Sequence, residues 1–185
     1  HMPLYFTSGG VGLHLENDEL GAENMTPSML SYNYQIFSEA GILSFGASGG
    51  IIQYTLDGSL LRTPDGNYLE PGQGSIIIDH QDDLLPLGAV STTALTFGAG
   101  VYFQSERFEA GVGVRHLNEP SIILESLSLS MKRAFFVNLG LNLEVSSSLT
   151  LHPSVLVKSD LVQTQTDISL LARYNDNIFG GAAFR

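Results

Sequence analysis

Two kinds of connection alternate along this chain, and that alternation restricts its fold more than any single motif. Segments of period-2 apolar/polar patterning are joined by tight turns at 38–41, 104–107, 145–148 and 175–177. Between these turns fall longer links at 17–26, 57–92, 117–132 and 159–165. Helical spacing of apolar residues at i, i+3, i+4 and i+7 is weak throughout, whereas strict alternation marks half-buried strands. In 93–103, Leu95, Phe97, Ala99, Val101 and Phe103 oppose Thr96, Gly98, Gly100 and Tyr102. In 135–143, Phe135, Val137, Leu139, Leu141 and Leu143 oppose Phe136, Asn138, Gly140 and Asn142. The same reading holds at 9–16, 27–37, 42–56, 108–115, 149–158 and 167–174, and a ninth segment begins at Phe179. After Ile51 the alternation of 42–56 gives way to a mostly apolar run. Strands of about ten residues exceed the usual five or six of a globular sheet.

A β-sandwich built from Greek keys has no reason to sort its loops by length. An outer-membrane barrel does, because its short turns lie on one side of the membrane and its long loops on the other. A tilted strand of roughly 9–11 residues also spans the hydrocarbon layer. The expected fold is therefore all-β, a transmembrane antiparallel up-and-down β-barrel with one face toward lipid. The opposite face, rich in Gly98, Gly100, Gly111, Gly113, Asn138, Gly140, Asn142 and Ser169, would line the interior. Nine strands is an odd number, whereas bacterial single-chain barrels use even ones. Residues 1–185 are accordingly expected to form a single barrel domain that is incomplete at one or both ends, with 57–92 as a long extracellular loop.

Composition narrows the function. Eight Lys+Arg stand against nineteen Asp+Glu, giving a net charge of −11, and no basic stripe is available for nucleic acid. The chain has no Cys, which removes disulfides, thiolate metal sites and cysteine nucleophiles. No apolar run approaches the roughly 18 residues of a membrane helix. Charged residues make up 15%, against about 25% in a typical soluble domain. The acidic excess gathers in 16–23, 65–83 and 118–125, at the expected rim and outer loops.

The residues that invite chemistry read as structural. None of the five His sits at ligand spacing with another. His14 and His152 fall on the expected interior face, and His116 ends a strand. Glu16, Glu109, Arg115, Lys158, Asp167 and Arg173 are expected to point inward and pair, because unpaired charge in a narrow interior is costly. Turns are expected at Pro64-Asp65-Gly66-Asn67 and at Glu70-Pro71-Gly72-Gln73-Gly74. Asp79-His80-Gln81-Asp82-Asp83 offers oxygen ligands but lacks EF-hand spacing and reads as a solvated acidic loop. A loop as long as 57–92 is usually functional, so it is the first candidate for meeting a partner. No catalytic, cofactor-binding or metal-binding residue is assigned, and no partner-binding residue is singled out.

Several stretches, in order, carry a family resemblance. They are Leu95-Thr96-Phe97-Gly98-Ala99-Gly100-Val101-Tyr102-Phe103, Arg107-Phe108-Glu109-Ala110-Gly111-Val112 and His116-Leu117-Asn118-Glu119-Pro120-Ser121. Gly10-Val11-Gly12-Leu13, Leu30-Ser31-Tyr32-Asn33-Tyr34 and Pro153-Ser154-Val155-Leu156-Val157-Lys158 add to it. With these the chain resembles the PorP/SprF family, outer-membrane proteins of the Bacteroidetes type IX secretion system. Members of that family are longer, with an N-terminal strand region and a closing C-terminal strand. The resemblance implies a non-enzymatic accessory role in secretion or surface attachment of cargo such as gliding adhesins, and no cofactor. The implied partners are the outer-membrane lipid bilayer and secreted cargo or other secretion components. Competing readings are a small-solute pore, a barrel enzyme using His116 or His152, and a soluble β-sandwich adhesin.

Overall fold

The computed structural model describes residues 2–4, 8–68, 78–124, 127–175 and 177–185. Its first strands are β1 (Met2–Leu4), β2 (Gly9–Leu15), β3 (Asp18–Leu20), β4 (Glu23–Ser38) and β5 (Gly41–Asp57). A 3-10 turn at Gly58–Leu60 leads to the short β6 (Asn67–Tyr68) and β7 (Ile78–Asp79). There follow β8 (Ala89–Gln104), β9 (Phe108–Arg115), β10 (Ser121–Leu124), β11 (Leu127–Ser130) and β12 (Ala134–Leu141). The last are β13 (Leu143–Ser146), β14 (Leu149–Ser159), β15 (Thr164–Tyr174) and β16 (Ile178–Phe184). The turn expected at 70–74 lies outside the described residues, as do Tyr5, Glu125 and Asp176.

One antiparallel sheet runs β1-β2-β4-β5-β8-β9-β12-β14-β15-β16, with β3 beside β4 and β13 beside β14. This is the up-and-down order that the patterning predicts. Along this ten-strand path the strand beyond the expected nine is β1, which pairs with Gly9, Gly10 and Val11. Among the described residues the sheet is open, with β1 and β16 at its edges.

The links differ from expectation in length. β4, β5 and β8 are 16, 17 and 16 residues long, because pairing continues past the region of clean alternation. The link expected at 17–26 is a hairpin in which Asp18, Glu19 and Leu20 pair with Met25, Asn24 and Glu23. Gly21 turns that hairpin at φ +61°, a left-handed conformation that favours glycine. The link expected at 159–165 contracts to a turn, where the Asp160 carboxylate accepts from the backbone N–H of Val162 and Gln163 at 2.9 and 2.7 Å. Polar, turn-prone composition reads as a loop in sequence even where the ladder persists through it.

Register sorts the faces cleanly. Across β4, β5, β8, β9, β12 and β14, one row reads Tyr34, Phe45, Val101, Val112, Val137 and Val157. The adjacent row, on the opposite face, reads Asn33, Gly46, Gly100, Gly113, Phe136 and Lys158. Another apolar row extends over eight strands as Ile36, Leu43, Phe103, Ala110, Leu139, Val155, Ile168 and Phe184. The two-residue period of pleating carries this segregation across every ladder.

Candidate functional site

The apolar face is uncovered. Val112 and Leu139 are each 56% exposed, and Leu13, Leu30, Phe45, Leu95, Val137 and Leu170 are exposed with them. No second sheet packs on it among the described residues, since the remaining strands form only two two-stranded hairpins. The β-sandwich reading requires the 135–143 face to be covered by another sheet, and Val137, Leu139, Leu141 and Leu143 are instead open. A continuous apolar surface of this extent is an interaction surface, because water penalises it in proportion to area. Among the described residues no helix is long and apolar enough to cross a membrane, which says nothing of crossing by strands.

The polar face carries a cavity of about 670 Å³ lined by Gly12, Asn33, Gly46, Gly100, Gly113 and Phe136 among others. Glycine is required where side chains from neighbouring strands lie across it. At Gly111 a Cβ would meet the Asn138 amide oxygen and come within 2.8 Å of the Tyr102 ring. Several of the expected inward charges are paired there. Glu109 accepts from the Tyr102 hydroxyl at 2.6 Å and lies 3.6 Å from His152 Nε2, while His152 Nδ1 meets Asn142 at 2.9 Å. Asp167 takes Lys158 at 3.2 Å and Arg185 at 2.9 Å. Glu16, just past the end of β2, pairs with His14 at 3.1 Å, and Arg173 lies in register with Thr150 and Phe179. Arg115 breaks the pattern, with no ion pair or hydrogen-bond partner for its side chain among the described residues.

Toward the longer links the polar face changes character. Along β5, Ser44, Gly46, Ser48 and Gly50 give way to Ile52, Tyr54 and Leu56, all three buried. The cover comes from the link expected at 117–132, which folds as the β10–β11 hairpin. Ile122 and Leu124, each 1% exposed, pack with Tyr54 and Leu56, and Met25, Val90, Ala94 and Leu127 surround them. The hairpin thus lies over one end of the polar face as a small apolar core.

The segment His116-Leu117-Asn118-Glu119-Pro120 is the corner that delivers it. His116 and Glu119 adopt φ +55° and +45°, turning the chain away from β9. The Asn118 amide then continues the ladder of β8, donating to Leu95 O at 2.8 Å and accepting from Phe97 N–H at 3.3 Å. Arg133 donates to Leu117 O at 3.0 Å and lies 3.7 Å from Glu119. Asn118→Ala leaves two β8 backbone groups without that side chain. It is expected to cost about 1–2 kcal/mol, read as a lower urea midpoint and faster proteolysis between β9 and β12.

His116 Nδ1 lies 2.9 Å from the hydroxyl of buried Thr96. Burial, and secondarily the Arg115 charge, holds the imidazole below its ordinary pKa. Protonation then favours the unfolded chain, so stability is full above about pH 6.5 and falls as pH drops through the lowered value. An NMR titration of His116 is expected to give a midpoint below 6.5, moving upward in Arg115→Gln.

The two histidines of the enzyme reading sit at opposite ends of the strands. His116 contacts a threonine at the link end. His152 pairs in register with Leu171 and meets Asn142 and Glu109 toward the short turns. In 57–92, the Tyr68 hydroxyl ties Thr63 N–H at 2.7 Å to His80 Nδ1 at 2.9 Å, and Arg62 stacks 4.6 Å above the Tyr68 ring. Asp79 and Asp82 accept from the backbone N–H of Gln81 and Leu84, both at 2.9 Å. These carboxylates cap turns and do not converge on a cation, and no group of three metal-capable side chains occurs among the described residues.

The whole chain, residues 1–185, matches the family described as type IX secretion system membrane protein PorP/SprF. The chain belongs to the PorP/SprF family. No match was found among curated proteins or solved structures. For a PorP/SprF protein, a membrane component of a secretion machine, the uncovered apolar face has a natural neighbour in lipid. The sequence resemblance rested on pieces whose structural roles are now visible: 95–103 and 107–112 form adjoining strands, and 116–121 forms the corner.

Proposed function

We propose that this protein is a non-enzymatic outer-membrane β-barrel of the type IX secretion system that aids secretion or surface anchoring of cargo such as gliding adhesins. The carrying observation is the uncovered apolar face, continuous in register over eight strands and backed by a glycine-rich, ion-paired face. Lipid offers no hydrogen bonds, so a sheet lodged there has to pair its edges, and closure into a barrel is the arrangement that does so. The short turns then face the periplasm and the 57–92 segment faces outward as the extracellular loop. Its acidic residues, with those of the neighbouring links, form the surface that cargo or another secretion component meets.

Two arms test this reading. Membrane fractionation places the native protein in the outer or the inner membrane. Deletion of the gene, with immunoblots of culture medium and cell surface, is expected to leave type IX cargo inside the cell or unattached. Normal secretion and attachment in the deletion strain would refute the accessory role. A pore reading is favoured separately by the 670 Å³ cavity on the polar face, and the β10–β11 cover at one end of that face opposes it.

A further inference from the structure

We propose that Arg115, His116 and Lys132 form a binding site for an oxyanion, a carboxylate or phosphate carried by a small molecule that enters from the link-bearing end of the sheet. The three residues line a cavity of about 420 Å³ beneath the β10–β11 hairpin, together with Met25, Ile52 and Asp160. Arg115 also borders the larger cavity of the polar face, so its guanidinium stands where the two meet. The site rests on the barrel reading only for the side from which the ligand enters.

The charge distribution carries the argument. In a chain with eight basic residues and a net charge of −11, pairing of Arg115 with Ala134 brings Arg115 beside Lys132 and Arg133, which directly precede β12. Elsewhere on the polar face the carboxylates recruit cations: Asp167 holds Lys158 and Arg185, and Glu109 faces His152. Arg133 is engaged by Leu117 O and Glu119. Neither Arg115 nor Lys132 has a side-chain partner among the described residues. Both side chains are exposed at the cavity mouth, where a planar oxyanion matches the guanidinium's fork of donors and meets the Lys132 ammonium. Among the described residues Asp160 is the one acid on the cavity wall, and its Oδ1 accepts from the backbone N–H of Val162 and Gln163. It offsets part of the positive charge without neutralising both cations. His116, whose Nδ1 lies 2.9 Å from the Thr96 hydroxyl, adds an imidazole to the same wall. The lining apolar groups, Met25 and Ile52, accommodate the carbon portion of the ligand.

The test uses the full chain refolded in detergent, titrated with inorganic phosphate and separately with acetate, and followed by calorimetry and by NMR shifts around His116. Saturable binding of at least one anion is expected, weakened about tenfold in Arg115→Gln and in Lys132→Gln. Arg115→Lys is expected to fall between, since it keeps the charge and loses the fork. Arg107→Gln, on the exposed turn at the opposite end, is expected to bind as wild type. Because the Arg115 and Lys132 side chains make no hydrogen bond or ion pair among the described residues, the variants are expected to keep the wild-type circular dichroism spectrum. Tighter phosphate than acetate binding identifies a phosphate-bearing ligand, and the reverse order a carboxylate. Absence of saturable binding by either anion, or undiminished binding by Arg115→Gln, overturns the site. That failure leaves the barrel reading standing, because no membrane enters the measurement.

Discussion

Val112→Arg is expected to block stable assembly into lipid bilayers while the neighbouring substitution Asn138→Lys is tolerated. Val112 lies in the middle of the apolar row Tyr34, Phe45, Val101, Val112, Val137 and Val157, and is 56% exposed. An arginine on the lipid face of a barrel near the bilayer midplane costs about 2–4 kcal/mol. That is a large share of the 5–15 kcal/mol that stabilises a typical folded chain. Asn138 pairs with Gly111 and Leu156 on the other face, where an ammonium group can reach the polar cavity. The fraction folded into liposomes, read by protease protection and heat-modifiable gel mobility, separates the two. If the apolar face packed against protein instead, the arginine would act through a buried interface, and refolding without lipid would suffer equally.

Leu124→Ala and Ile122→Ala are expected to undock the β10–β11 hairpin while leaving the main ladder intact. Both side chains are 1% exposed and share one small cluster with Tyr54 and Leu56. Large-to-small changes in such a site cost about 2–5 kcal/mol, more than a hairpin of two four-residue strands recovers from its own pairing. Hydrogen exchange of the β10 and β11 amides should accelerate, and protease should cut between β9 and β12. Ile123→Ala, at an outward position of the same strand, is expected to change stability by less than about 0.5 kcal/mol. Once the hairpin leaves, the apolar end of the polar face is uncovered, so single-channel conductance in planar bilayers is expected to rise.

The sheet was legible because its signal is local and repeated. Each alternating segment reports its own two faces, and tight turns fix the neighbour, so Phe135 to Leu143 could be assigned without tertiary knowledge. The hairpin was harder to see. Ile122, Leu124 and Leu127 lie in a polar link, and only the switch of apolar residues to the opposite face at Ile52, Tyr54 and Leu56, between Gln53 and Thr55, hints that the polar face of β5 is covered there. Pairing of the interior charges was readable in kind for Glu109, Lys158 and Asp167, but not in partner, since Tyr102, His152 and Arg185 reach them through register. The exception at Arg115 was invisible, because a missing partner has no sequence signature. The role of Asn118 was hidden for a related reason: its amide substitutes for backbone on a strand more than twenty residues earlier.

A membrane-spanning sheet must turn one particular face of β12 to lipid. The chain contains no cysteine, so single cysteines can be introduced at positions 135 to 139 without background. Each is labelled with an environment-sensitive fluorophore and reconstituted in liposomes carrying a nitroxide quencher within the acyl chains. Quenching is expected to alternate, strong at Phe135, Val137 and Leu139 and weak at Phe136 and Asn138. Uniform quenching, uniform protection, or the inverse alternation would contradict a membrane-spanning sheet with its apolar face outward.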